Sequence, residues 1–328
     1  MPIAVPPLHT RRPALTRRRA LIAGLATPFI GRAAQAAPKA APKTLRLGFQ
    51  KGEPILMAAR TNRDLEKALA PLDLSVEWIE FQFGPPMLEA MRVGGIDLGA
   101  VGDTPPIFAQ AARGDLMYVA AGRGAPQSIL LPPNSPIQAL QDLKGRKLAF
   151  GRGSSAHNFA LMVLEKAGLA YQDIQPIYLG PADAGAAFSQ GAIEAWSIWE
   201  PYASLFNNRP GVRTLTTNNE IGTQYSYFMA NGGFVRDNPA LTAAALRTLT
   251  VVAEKARAEK PAIAALLAGS TGIAQDVWNR ALERHPLDVL PLSDELARSQ
   301  QVVADRFKAQ GLIPVAIKPG DIFWHQNV

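Results

Sequence analysis

The stretch Gly151-Arg152-Gly153-Ser154-Ser155-Ala156-His157-Asn158, behind the run Lys147-Leu148-Ala149-Phe150, decides how this chain is read. The run has the length and apolarity of a short buried strand. Leu161, Leu164 and Ala167-Gly168 beyond it keep helical spacing and a glycine stop. Two glycines allow a tight bend, and the serines then stand where a helix's first N–H groups lack internal partners. Such an end attracts an anion through free donors and the positive end of the helix dipole. A serine that merely caps its helix is the other reading of this stretch taken alone.

The same strand-then-helix alternation runs outward in both directions. Leu45, Leu47 and Phe49 alternate as a strand, Pro54 to Ala70 reads as a helix, and Val76, Trp78 and Glu80 form a second strand. A short helix over 86–93 ends at Gly94-Gly95, with strands at 96–101 and 116–121. The order repeats from Lys147: strand, helix to Gly168, strand over 174–179, helix over 182–191, strand over 195–199. The pattern predicts an α/β protein of two modules, each a mostly parallel sheet covered by helices. Beyond them, Asn238-Pro239 opens a helix carrying Leu241, Ala245, Leu249, Val252 and Ala256 on one face. Ser293 opens another, with Leu296, Val303 and Phe307, closed by Gly311. Extended segments at 127–131 and 224–229 read as two strands crossing between lobes. One lobe is therefore expected to be discontinuous (44–128 with 227–328), and 129–226 to form the other.

Residues 1–36 carry six arginines and no lysine or acidic residue. The apolar stretch Ala20 to Ile30 is too short to span a bilayer, and Ala34-Gln35-Ala36 suits a small-residue cleavage site. This reads as a secretory signal peptide cleaved near Ala36, followed by a disordered lead-in over 37–43. Thr16-Arg17-Arg18-Arg19-Ala20-Leu21 also fits a twin-arginine signal, with alanine where that pattern prefers phenylalanine. Loss of six arginines from 34 basic residues leaves 28 against 27 acidic ones, so the formal +7 falls to +1. The basic balance thus belongs to the leader and implies no nucleic-acid partner. With no cysteine there are no disulfides, no thiol chemistry and no lipid-anchored cysteine. A free, monomeric periplasmic protein is expected.

Ligands of α/β sheets gather beyond the carboxyl ends of the strands. Besides the serine junction, two further strand ends run into proline-opened helices: Gly102-Asp103-Thr104-Pro105-Pro106 and Ser197-Ile198-Trp199-Glu200-Pro201-Tyr202. Gln50-Lys51-Gly52 ends the first strand. Strand alternation separates Trp196, expected in the core, from Ser197 and Trp199 at the lip of the cleft. Asp103 and Glu200 would repel an anion, so capping, pairing with Lys51 or Arg152, or holding an ammonium are their expected roles. His157 reads equally well as a packing residue and as a ligand contact.

Gly48-Phe49-Gln50-Lys51-Gly52, Gly102-Asp103-Thr104-Pro105-Pro106-Ile107-Phe108-Ala109-Gln110-Ala111, Gly153-Ser154-Ser155-Ala156-His157-Asn158, Pro181-Ala182-Asp183-Ala184 and Ile198-Trp199-Glu200-Pro201-Tyr202 together resemble the aliphatic sulfonate-binding proteins of ABC importers. The resemblance runs from about Leu45 to the C-terminus. It departs at Glu200, where aspartate is frequent, and at Gly151-Arg152, where a Gln-Lys pair is familiar. It implies a two-lobed binding protein that closes on a sulfonate and presents it to a membrane permease driven by a cytoplasmic ATPase, for sulfur acquisition. The candidate ligand-binding residues are Gln50 and Lys51; Gly102, Asp103 and Thr104; Ser154, Ser155, His157 and Asn158; and Trp199, Glu200 and Tyr202.

A sulfonate is a monoanion with three acceptor oxygens and no proton, so its complement is a set of donors: helix-terminal N–H groups, serine hydroxyls and the amides of Gln50 and Asn158. Trp199 and Tyr202 would cover the carbon chain. No cofactor or metal is expected, because the mature histidines 157, 285 and 325 are far apart in sequence and no phosphate-binding Gly-Lys-Ser/Thr loop occurs. Taurine, nitrate, a sulfate ester or a thiamine precursor are the alternative ligands. A hydrolase using Ser154 with His157 is the alternative of a different class, although no Gly-x-Ser-x-Gly elbow accompanies it.

Overall fold

The computed structural model describes residues 42–325; the expected signal peptide and all but the last two residues of the lead-in lie outside the described residues. The first sheet holds β1 (Thr44–Phe49), β2 (Ser75–Glu80), β3 (Leu98–Gly102), β4 (Leu116–Arg123) and a late strand, Tyr225–Asn231. The second holds β5 (Gln127–Leu131), β6 (Lys147–Phe150), β7 (Gln175–Tyr178), β8 (Ala195–Trp199) and β9 (Arg213–Thr217). The late strand is β10. The orders are β2-β1-β3-β10-β4 and β7-β6-β8-β5-β9.

These orders are one topology used twice. In each sheet the module's second, first, third and fourth strands run the same way, and a single reversed strand sits between the third and the fourth. That reversed strand is supplied by the other module: β5 follows β4 in sequence but pairs with β8 and β9, and β10 follows β9 but pairs with β3 and β4. The extended segments at 127–131 and 224–229 are thus the crossing strands expected of the two-lobed fold. Arg213–Thr217, which carried no assignment in the sequence reading, is the edge strand beside β5.

Apolar alternation puts Leu45, Leu47 and Phe49 of β1 into the main core of the first sheet. Leu241, Ala245, Leu249, Val252 and Ala256 of the helix Pro239–Ala258 meet them there, as their spacing requires. Two further helices, Lys260–Thr271 and Gln275–Arg284, complete that layer with Ile263, Leu267, Trp278 and Leu282. The expected helix from Pro54 to Ala70 is two, Pro54–Asn62 and Asp64–Leu69, broken at Arg63, whose φ of 58° is left-handed. Ser293 does open the helix Asp294–Ala309, its Oγ accepting from the Leu296 N–H at 3.3 Å. Among the described residues no helix is long and apolar enough to cross a membrane.

Candidate ligand-binding site

The carboxyl ends of β1 and β3 meet the start of the helix Ser155–Ala167 and the end of β8 around a cleft of about 630 Å³, mouth included. From one sheet it is walled by Gln50, Gly52, Glu53 and Ala100 to Gly102; from the other by Ser154, Ser155 and Trp199. The crossing segments add Gly124, Ala125 and Gln127 on one pass and Tyr225 and Ser226 on the other, with His285 closing one side. Glu53 is the one acidic side chain of this lining, which includes no lysine or arginine.

At the serine junction the turn is made by Gly153 in a left-handed conformation (φ 70°), and its N–H donates to His157 Nδ1 at 3.2 Å. Ser154 holds the cap position with extended backbone, yet its hydroxyl turns away from the helix and donates to the Gly151 carbonyl at 2.7 Å. The first hydrogen bonds of the helix run from the His157 and Asn158 N–H groups to the Ser154 carbonyl. The N–H groups of Ser155 and Ala156 therefore precede the ladder with no side chain capping them, and Ser155 lines the cleft. Opposite, Gly102 approaches so closely that a Cβ built there would lie 2.8 Å from Ser155 Oγ. Gln50 donates one amide hydrogen to the Ala100 carbonyl at 2.8 Å and keeps the other.

Of the twelve residues expected from sequence, Gln50, Gly102, Ser154, Ser155 and Trp199 line this cleft. Trp199 is 8 % exposed, whereas Trp196, on the other face of β8, is 1 % exposed and packs edge-on against Phe206 with centroids 4.9 Å apart. Ser197 shares the Trp199 face but not the lip of the cleft: fully buried, it donates to the Ala156 carbonyl at 2.8 Å.

The other seven lie outside the lining, because each is engaged elsewhere. Asp103 is buried and accepts from Thr104 Oγ1 (2.7 Å), Asn158 Nδ2 (2.7 Å) and Gln224 Nε2 (2.9 Å). Burial pushes its carboxyl above the usual carboxylate range, and these donors pull against that rise. Asn158 Oδ1 in turn accepts from Arg306 at 2.8 Å, and Arg306 Nε donates to Glu165 at 2.7 Å. Asp103, Thr104 and Asn158 thus tie the β3 end to the helix Ser155–Ala167. Glu200 is 2 % exposed, accepting from the Ser204 N–H at 3.0 Å and paired with Arg284 of the helix Gln275–Arg284. Lys51 pairs with Glu80 at 3.5 Å and, with Tyr202, lines a separate depression with Gln82, Pro181 and Ala182.

His157 is a packing residue. Its ring stacks on Phe150 with centroids 4.6 Å apart and meets the edge of Phe307, while burial first, and Arg152 second, depress its pKa to about 3. The sequence reading missed Glu53, Gln127 and His285 in the cleft wall. Glu53 caps the helix Pro54–Asn62, accepting from the Leu56 N–H at 2.6 Å; an acidic residue before a proline-opened helix was a legible signal for that. Burial pushes its carboxyl up to about 7 against those backbone hydrogen bonds. His285 accepts from the Leu287 N–H on Nδ1, so its proton sits on Nε2, and burial depresses its pKa to about 4. Gln127 Oε1 is buried with no hydrogen-bond partner. No local pattern announced those two, which reach the cleft only through the fold.

Residues 38–272 match the model of the NMT1-like family. A 291-residue stretch, 88 % of this chain and 91 % of the other, is 40 % identical to an Escherichia coli protein named for binding aliphatic sulfonates. The crystal structure of the periplasmic aliphatic sulphonate binding protein SsuA from Escherichia coli superposes with a TM-score of 0.78, at 40 % identity, over 87 % of this chain and 93 % of that one. The alkanesulfonate-binding protein SsuA from Xanthomonas axonopodis pv. citri, bound to MOPS, gives 0.82 at 37 % identity, over 87 % and 99 %.

Proposed function

The chain belongs to the NMT1-like family, and from that premise we propose that it is the extracytoplasmic sulfonate receptor of an ABC importer. Such a receptor captures an aliphatic sulfonate between two lobes and passes it to a permease. The observation that carries the reading is the uncapped start of the helix Ser155–Ala167, opposed by Gly102 in a cleft lined by no cationic side chain. Fixed N–H dipoles suit a delocalised monoanion that never protonates, since they need no proton transfer and no counter-charge. In this proposal the Ser155 and Ala156 N–H groups, the Ser155 hydroxyl and the free amide hydrogen of Gln50 hold the head group. Trp199 covers the tail, each Å² of apolar area contributing about 25 cal/mol.

The partners follow from the same reading: an inner-membrane permease with its cytoplasmic ATPase, met by a processed, monomeric periplasmic protein. The lobes are proposed as 44–128 with 227–328, and 129–226. A binding role rather than hydrolysis is supported by the serine junction itself. Ser154 donates to a carbonyl, and His157 Nδ1 accepts from Gly153 inside an aromatic stack, so the two form no nucleophile–base pair. Calorimetric titration with ethanesulfonate, butanesulfonate, nitrate and a sulfate ester tests the function. One-site binding of the sulfonates is expected, and absence of heat with every sulfonate would overturn the proposal.

A further inference from the structure

The cleft wall holds two groups that a plain alkanesulfonate leaves unserved. Gln127 is 2 % exposed, and its Oε1 is buried without a hydrogen-bond partner. A buried acceptor left unpaired is unfavourable, and one in the wall of a binding cleft is a place that a donor on the ligand can complete. Glu53 is the one carboxyl in the same lining, and no cationic side chain of the lining faces it. Its donors are the Ile55 and Leu56 N–H groups, at 3.4 and 2.6 Å, which occupy only part of a carboxylate's accepting capacity. A sulfonate with a hydrocarbon tail brings no hydrogen to either group, and its charge is repelled by an ionised Glu53.

We propose that the preferred ligands are sulfonates whose tail carries an ammonium, received by the Glu53 carboxylate and the Gln127 amide oxygen while the head group sits at the serine junction. This rests on the sulfonate-receptor reading and narrows its ligand class. An ammonium presents three donors and a positive charge. It therefore satisfies Gln127 and turns Glu53 from a repulsive neighbour into an attractive one. Around Glu53, the titratable groups of the cleft are His285 and Tyr225; Lys51, held by Glu80, and the Arg284–Glu200 pair stand on adjoining segments. With the Glu53 carboxyl near 7 and His285 near 4, Glu53 is the cleft group that changes charge between pH 5.5 and 8.5.

The test compares 3-aminopropane-1-sulfonate with butane-1-sulfonate, similar in length, by calorimetry on the full processed protein at pH 8.5 and 5.5. At pH 8.5 the amino ligand should bind at least tenfold more tightly, and the ratio should shrink at pH 5.5. Glu53→Gln, which keeps a capping oxygen, should remove the preference while leaving butanesulfonate bound as well or better. Gln127→Leu should reduce the preference independently. Binding of both ligands with equal affinity, or a preference untouched by Glu53→Gln, would overturn the assignment and leave the receptor reading standing. Failure of both ligands to bind the parent protein would instead sink the receptor reading and this assignment with it.

Discussion

Gly102 and Ser155 face each other across the cleft so closely that a Cβ on Gly102 would stand 2.5 Å from the Cβ of Ser155. Real side chains do not approach to that distance, and the obstacle is the first side-chain atom of a helix start. Absence of a side chain on the β3 end is therefore what lets the two walls converge on one small anion. Gly102→Ala should weaken sulfonate binding at least tenfold in calorimetry while the thermal midpoint shifts by only a few degrees. Unchanged affinity would show that the contact can relax without consequence.

The two serines should separate. Ser155 Oγ faces Gly102 at the cleft, whereas Ser154 Oγ is engaged with the Gly151 carbonyl. Ser155→Ala removes a donor to a charged group, worth roughly 1.5–3 kcal/mol, and should raise the dissociation constant about tenfold or more. Ser154→Ala should lower stability by about 1 kcal/mol with a smaller effect on affinity. The reverse ranking would place the head group against Ser154.

Trp199 borders the cleft and Trp196 does not. Ligand should therefore perturb intrinsic fluorescence in the parent and in Trp196→Phe, but not in Trp199→Phe. Trp196→Ala leaves a hole beside Phe188 and Phe206 and should destabilise by about 3–5 kcal/mol in urea unfolding. A fluorescence response surviving in Trp199→Phe would contradict the placement.

Arg284→Ala leaves the buried Glu200 carboxylate with the Ser204 N–H as its remaining donor. Arg284 is itself part-exposed, which moderates the loss to roughly 1.5–3 kcal/mol of unfolding free energy. Arg284→Lys should recover part of it. A neutral effect of Arg284→Ala would mean that water serves Glu200 as well.

Four buried groups with shifted pKa values bear on how stability changes between pH 6.5 and 5. His157 and His285 have folded pKa values near 3 and 4, so the unfolded chain gains both protons first and each loses stability as pH falls. Glu53, near 7 when folded, is already protonated in the native state and opposes them by one proton. Asp103, whose carboxyl burial also raises, acts in the same sense as Glu53. Glu53→Gln should therefore make stability fall more steeply on acidification in calorimetric unfolding, and His157→Asn should make it fall less steeply. A slope insensitive to both would refute these shifted values.

Much of the fold was legible because it is written in local periods. The alternation of Leu45, Leu47 and Phe49 and the helical spacing from Leu241 to Ala256 each point to one buried face, and neighbours supply that face in any α/β protein. The edge strand Arg213–Thr217 was not legible, since Arg-Thr-Leu-Thr-Thr is only half-buried and owes its extension to pairing with β5.

The sequence by itself determined the two modules, their crossing strands, the donor-rich junction at Ser154-Ser155 and the opposed faces of Trp196 and Trp199. These depend on residues a few positions apart, where backbone geometry leaves little choice. Only the tertiary structure decided which polar residues reach the cleft. Asp103, Asn158 and Glu200 looked like ligand contacts, but Gln224, Arg306 and Arg284, 80 or more residues away in sequence, draw them into ties of their own. Glu53, Gln127 and His285 come into the wall from three separate segments. A buried polar group takes whichever partner the folded chain brings within about 3 Å, and sequence spacing carries no record of that distance.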